Sequence, residues 1–230
     1  MKIGGFQKTS LLDYPETISA IIWTVGCNYR CTFCYNKEIV LGRIKLISEK
    51  EVLSYLEKRK GMLEGLVISG GEPLMQEDVV DFAGKIKKLG YLIKLDTNGC
   101  YPEKLQELIN KKLVDYLAMD IKAPKEKYDQ LSGVKTDLTK IEKSIKIIKS
   151  DAPDYEFRTT FVPQILKKDD IIKIAKWLEG AKNFYLQQFK NTRSLVSSKL
   201  NNVSPYPNQY LVETCNEIKT YFKNCKLRGI

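Results

Sequence analysis

Three cysteines fall within one short stretch: Cys27, Cys31 and Cys34, spaced C-x3-C-x2-C directly after Gly26. Thiolates are metal ligands. Three are one short of the four that close a structural zinc or iron–sulfur site, and an incomplete sphere leaves a metal position for substrate. Spacing alone leaves other readings open. A distant cysteine could complete a zinc site, although no second C-x2-C pair exists. A redox thiol pair is a further reading. The spacing i, i+4, i+7 also suits small apolar residues on one helical face, which the polar neighbours Asn28, Tyr29, Arg30 and Thr32 weaken. Cys100, Cys215 and Cys225 stand apart and carry no assigned role.

A second set of residues has chemical potential. Ser69-Gly70-Gly71-Glu72-Pro73 holds two glycines that let backbone approach a ligand closely, though alone it reads as a turn. Asp96-Thr97-Asn98-Gly99 reads as a strand-ending Asn-Gly turn. Asp120-Ile121-Lys122 places an aspartate at the end of an apolar run, where it needs a partner or a cation. Arg158 sits inside Phe157–Val162 and needs pairing too. Its plain reading is a salt bridge within the fold; its functional reading is a contact to a ligand carboxylate or a substrate peptide. The chain has no histidine. Ser–His triads, histidine bases and His-ligated zinc are excluded, so metal chemistry must run on Cys, Asp or Glu.

The elements that position these residues recur in order. Short apolar, β-branched runs are predicted as strands at 20–25, 66–69, 91–96, 116–121, 156–162 and 184–189. Between them lie predicted helices at 49–60, 76–89, 102–110, 138–149 and 168–179, with a last one near 208–222. In the second of these, Val79, Phe82, Ala83, Ile86 and Leu89 form one apolar stripe. Near-continuous apolar strands suit a parallel sheet covered on both faces. Six β–α units in residues 1–230, taken as a single domain, indicate an α/β fold, either an open or partial barrel or a doubly wound sheet. In both, chemistry gathers where the strands end. That places the cysteine loop, Ser69–Pro73, Asp96–Gly99, Asp120–Lys122, the Arg158 strand end and Gln187–Lys190 on one face.

The bulk composition narrows the rest. The 230 residues hold 38 Lys+Arg against 28 Asp+Glu, a net charge of +10. Such a charge raises nucleic-acid binding, but the lysines scatter along helices such as 141–149, as solvated faces do. A basic surface equally steers an acidic protein partner. No apolar run reaches a membrane span of about 18 residues. The opening decapeptide has no signal-peptide pattern, so the expected location is cytoplasmic.

C-x3-C-x-aromatic-C after a first strand, with Phe33 as the aromatic, resembles the signature of radical S-adenosylmethionine enzymes. The resemblance implies a partial (β/α)6 TIM-like barrel of parallel strands. It also implies a [4Fe–4S] cluster on Cys27, Cys31 and Cys34. The fourth iron would take the amino and carboxylate groups of S-adenosylmethionine, whose reductive cleavage would yield a 5′-deoxyadenosyl radical. Gly70, Gly71 and Glu72 match the family's GGE motif, which holds the ligand's amino group. Leu95–Gly99 and Asp120–Lys122 resemble segments of glycyl-radical-enzyme activating enzymes of the pyruvate formate-lyase activase type. By resemblance, Phe33, Tyr35, Asp96, Asn98, Asp120, Lys122, Arg158 and Gln187 would also belong to the S-adenosylmethionine site. Asp96 and Asp120 would flank a monovalent cation. No further catalytic residue is implied. Pyruvate formate-lyase activases carry a histidine near the Lys190 position, which this chain lacks.

Gly4-Gly5-Phe6, Ser10–Pro15 and Cys34-Tyr35-Asn36 resemble activating proteins of anaerobic ribonucleoside-triphosphate reductase. The implied partner is therefore a glycyl-radical enzyme, with a flavodoxin or ferredoxin as electron donor. Two alternatives stand beside this one. The first is a radical enzyme acting on a small molecule, of the 7-carboxy-7-deazaguanine synthase type. The second is a non-catalytic zinc-binding module.

Overall fold

Eight strands form one sheet in the simple order β1 to β8. The computed structural model describes residues 1–191 and 195–230. The six predicted strands appear as β2 (Ser19–Thr24), β3 (Gly65–Gly70), β4 (Leu92–Thr97), β5 (Tyr116–Asp120), β6 (Tyr155–Phe161) and β7 (Ala181–Gln188). All pair in parallel. Two further strands extend this sheet. β1 (Ile3–Ser10) pairs antiparallel with β2, and β8 (Phe222–Arg228) pairs parallel with β7. The result is a TIM-like partial barrel with one added strand on each edge.

Six of the helices fall at the predicted spans, and two short ones, Lys37–Leu41 and Tyr128–Ser132, add to them. They are α1 (Lys37–Leu41), α2 (Glu49–Lys58), α3 (Val79–Lys88), α4 (Pro102–Asn110), α5 (Tyr128–Ser132), α6 (Leu138–Asp151), α7 (Lys168–Trp177) and α8 (Asn208–Ile218). Local chemistry sets their ends. Ser48 accepts the Glu51 N–H at the start of α2, and Asp137 accepts that of Thr139 at the start of α6. Pro102 opens α4. The last helix is shorter than its predicted span to residue 222. After Ile218 a single 3-10 turn leads into β8, and Phe222 stacks on Phe184 with ring centroids 4.6 Å apart.

Alternation along the strands separates two environments. Ile22, Ile68, Leu95 and Met119 join Leu56, Phe82, Leu105 and Ile141 in the main core between sheet and helices. Burying each such side chain is worth about 1.5–3 kcal/mol. The opposite, concave face is only partly apolar. There Tyr14, Ile21, Val67 and Tyr116 pack with Trp23 as a small separate cluster. The concave face of β4 to β8 instead carries Lys94, Asp96, Asp120, Glu156, Arg158 and Arg228, and ion pairs among them satisfy the charges. Among the described residues no helix is long and apolar enough to cross a membrane.

Candidate functional site

The cysteine loop leaves β2 at Gly26, whose φ of 93° is open to glycine at little cost. Cys27 and Cys34 are half-buried, Cys31 is buried, and none is in a disulfide. The loop is held at several points. Cys34 N–H donates to the Cys31 carbonyl at 3.1 Å, and Arg30 N–H to Ser132 O at 2.8 Å. The Arg30 guanidinium donates to the carbonyls of Cys27 and Tyr29. From the far side, the amides of Val196 and Ser197 donate to the carbonyls of Cys34 and Thr32 at 2.9 and 3.0 Å.

Gly70 and Gly71 bring the end of β3 against this loop. A Cβ on Gly71 would lie 1.9 Å from Gly26 O and 3.2 Å from Cys27 Cβ; one on Gly70 would lie 2.2 Å from Thr24 N. Both positions require glycine because two backbones touch there. Glu72, 1% exposed, then ties three loops together. Its N–H donates to Gly26 O, and its carboxylate accepts from Leu74 N–H, Thr97 Oγ1 and Asn98 N–H at 3.1, 2.8 and 2.7 Å. Burial pushes this carboxyl up to about 7 against those donors. Asn98 completes the tie by donating to Asn28 Oδ1 at 2.8 Å.

Beside the thiols stands a charged wall. Arg158 donates to Asp120 at 2.5 Å and pairs with Asp96 at 3.3 Å. Lys94, only 2% exposed, meets Asp96 at 2.5 Å, and Lys122 meets Asp120 at 3.0 Å. Burial by itself would raise both aspartates, but Arg158 beside them, with Lys94 and Lys122, holds them below the usual carboxylate range. Burial also opposes charge on Lys122; Asp120 and the Cys31 thiol outweigh that and keep it above its usual value. Lys122 Nζ sits 5.8 Å from the centroid of the Phe33 ring. Glu156, fully buried, is met by Arg228 through both oxygens at 2.8 and 3.1 Å and by Tyr116 Oη.

The expected residues thus gather, with two differences. Tyr35 is 54% exposed, at the outer end of the cysteine loop. Arg158 is already engaged by the aspartates expected to flank a cation. Gln187 lies at the end of β7, in register with Thr160 and Arg228. Lys94, Glu156, Asn28 and Arg228 were not anticipated. Lys94 and Glu156 carried the same signal as Arg158, a charge within an apolar strand, whereas Arg228 lies in a strand that sequence periodicity did not reveal.

Burial pushes the Cys27 thiol up to about 12 and Cys31 to about 11, while Lys122 pulls both down. Cys34 is raised by burial as well. Among the described residues, no three Cys, Asp or Glu side chains are gathered tightly enough to ligate one metal ion. The donor set fits an iron–sulfur cluster by its chemistry: three free thiols on one loop, no imidazole, and one buried ammonium whose charge favours thiolate at all three.

Residues 21–178 match the family model of the radical SAM superfamily. The whole chain is similar to a Methanocaldococcus jannaschii protein described as a glycyl-radical enzyme activating enzyme. The two are 34% identical, over 99% of this chain and 96% of that one. The pyruvate formate-lyase 1-activating enzyme of Escherichia coli is 31% identical over 143 residues, 58% of this chain and 57% of its own. In fold, the chain superposes on Streptococcus suis SuiB bound to S-adenosylmethionine with a TM-score of 0.67 at 17% identity, covering 91% of this chain and 50% of that one. Taken with the free-thiol loop and the glycine contact behind it, these likenesses make the chain a member of the radical SAM superfamily and, within it, of the glycyl-radical enzyme activating enzymes.

Proposed function

We propose that the chain reductively cleaves S-adenosylmethionine and takes a hydrogen atom from a glycine Cα of a partner enzyme, anaerobic ribonucleoside-triphosphate reductase. The observation that carries this reading is the meeting, on one rim, of three free thiols, the Gly70–Gly71 backbone and the Asp96–Asp120–Lys122–Arg158 wall. Cys27, Cys31 and Cys34 would hold the [4Fe–4S] cluster. When bound, the cluster supplies one electron to S-adenosylmethionine, giving methionine and the 5′-deoxyadenosyl radical as hydrogen acceptor.

The chain's own groups do the rest. Gly70 and Gly71 let the end of β3 close against the cysteine loop, beside which the ligand's amino group would sit, and Glu72 fixes that junction. Lys122 and Arg158 supply positive charge for the ligand carboxylate. A monovalent cation at Asp96 and Asp120 would share those carboxylates with Arg158. Phe33, Tyr35, Asn98 and Gln187 complete the proposed contacts. The resemblance of Gly4–Phe6 and Ser10–Pro15 supports the reductase as partner, and Leu11 and Leu12 within the second segment are 71% and 91% exposed. A flavodoxin or ferredoxin is the proposed donor, and the cytoplasm the proposed location.

The test is direct. After anaerobic reconstitution, reductant and S-adenosylmethionine should yield 5′-deoxyadenosine; none, with the cluster intact, sinks the reading. Adding the reductase should then give a glycyl doublet in electron paramagnetic resonance. Cleavage without a doublet would remove the reductase as partner and turn the search toward a small-molecule substrate.

A further inference from the structure

Cys215 and Cys225 take no part in the site above. Cys215 is buried on α8, and Cys225 is half-buried on β8, ten positions later. Their Sγ atoms are 3.0 Å apart. Packed elements set this approach. The Phe184–Phe222 stack anchors the start of β8, and β8 is paired along its length with β7. Cys225 Sγ also lies 3.8 Å from the Cys215 carbonyl. The hydrogen bond from Cys225 lowers the Cys215 thiol, with Lys219 adding to the effect, and Cys225 is raised in turn. Losing one proton from the pair therefore leaves a thiolate that accepts a hydrogen bond from the other thiol, either sulfur being placed to donate.

We propose that Cys215 and Cys225 are a modification site that forms a reversible disulfide by exchange with a low-molecular-weight disulfide, clamping β8 to α8. In the first step the thiolate of the pair attacks one sulfur of the incoming disulfide, forming a mixed disulfide and releasing one thiolate. The other cysteine, as thiolate, then attacks the protein sulfur of that mixed disulfide and releases the second. The two protein thiols are oxidised, the small disulfide is reduced to two thiols, and the two protein protons end on them. The link bears on the barrel. β8 is an edge strand, and Arg228, three residues beyond Cys225, reaches across to Glu156 on β6. Fixing β8 fixes the position of that guanidinium.

The experiment uses the cluster-loaded protein in anaerobic glutathione buffers of increasing oxidised fraction. Samples are acid-quenched, alkylated and peptide-mapped, with hydrogen exchange run in parallel. Cys215 and Cys225 should lose alkylation together, with a loss of two hydrogens in mass. Dithiothreitol should reverse this, and exchange across residues 222–228 should slow in the oxidised form. Cys215→Ser and Cys225→Ser should each retain one glutathione on the surviving thiol, because no second thiol is present to expel it. Independent loss of the two thiols, a persistent glutathione adduct on the unaltered chain, or a link to Cys100 would overturn the proposal. So would single variants that take up no glutathione.

Discussion

Glu72 is a carboxylate shut away from water and bonded to three donors on two loops. Its value rises from 4.5 to about 7 on burial. A folded value above the unfolded one means that the native state holds the extra proton. This residue's contribution to stability is therefore greatest below about 4.5, falls as pH rises toward about 7, and is level beyond. Glu72→Gln keeps the shape, cannot titrate, and sets an amide NH2 against a donor, at a cost of about 1–3 kcal/mol. Urea midpoints should show a larger deficit for the variant at pH 5 than at pH 8; an equal deficit would refute the assignment. The thiols call for a different comparison. Cys31 is buried inside the loop, whereas Cys215 faces Cys225 on the helical side of the sheet. Cys31→Ala should lose the iron bound on reconstitution and Cys215→Ala should keep it. Equal iron content in the two would refute the ligand set.

β8 matters beyond its length because it delivers Arg228 to Glu156. Without that guanidinium, Glu156 keeps, among the described residues, only the Tyr116 hydroxyl and the more distant Arg158, at 3.8 Å. Arg228→Ala should cost about 3 kcal/mol, as unpairing a buried charge does. Adding Glu156→Gln should recover a large part of it in a double-mutant cycle read by chemical unfolding. If the double variant is as unstable as the sum, the pairing is not what holds the strand. β8 was also among the elements least legible in the sequence. Its Lys223, Asn224 and Lys226 are exposed, as befits an edge strand, and no apolar run marks it. β1 was hidden by Gly4, Gly5 and the exposed Gln7–Thr9. Of the six parallel strands, β2 to β6 were readable because they are buried along most of their length, and β7 was readable from the apolar Phe184, Leu186 and Phe189. For the same reason the strand-end residues could be placed on one rim. Links such as Asn28–Asn98, Thr97–Glu72 and Asp96–Arg158–Asp120 join loops far apart in sequence. Periodicity carries no information about such pairings.

At the scale of the whole molecule, charge is unevenly used. The concave wall is nearly balanced, with Lys94, Lys122, Arg158 and Arg228 facing Asp96, Asp120 and Glu156. The excess of +10 therefore lies mainly elsewhere, on faces such as that of α6, where Lys143, Lys146 and Lys149 are exposed. A surface of this sign favours encounter with an acidic electron-transfer protein and does little for a small reductant present in excess. Raising salt from about 0.02 to about 0.3 M shortens the screening length from about 20 to about 6 Å. Over that range, 5′-deoxyadenosine formation driven by limiting reduced flavodoxin should slow by about tenfold or more, within the span that steering commands. With saturating chemical reductant it should change by no more than about twofold, because encounter no longer limits the rate. Reversing the charge of Lys143, Lys146 and Lys149 to Glu should weaken the salt dependence of the flavodoxin reaction if α6 belongs to the docking face, and leave it intact if the basic surface acts only as a whole. Equal salt dependence with the two reductants would show that the positive charge does not serve electron delivery.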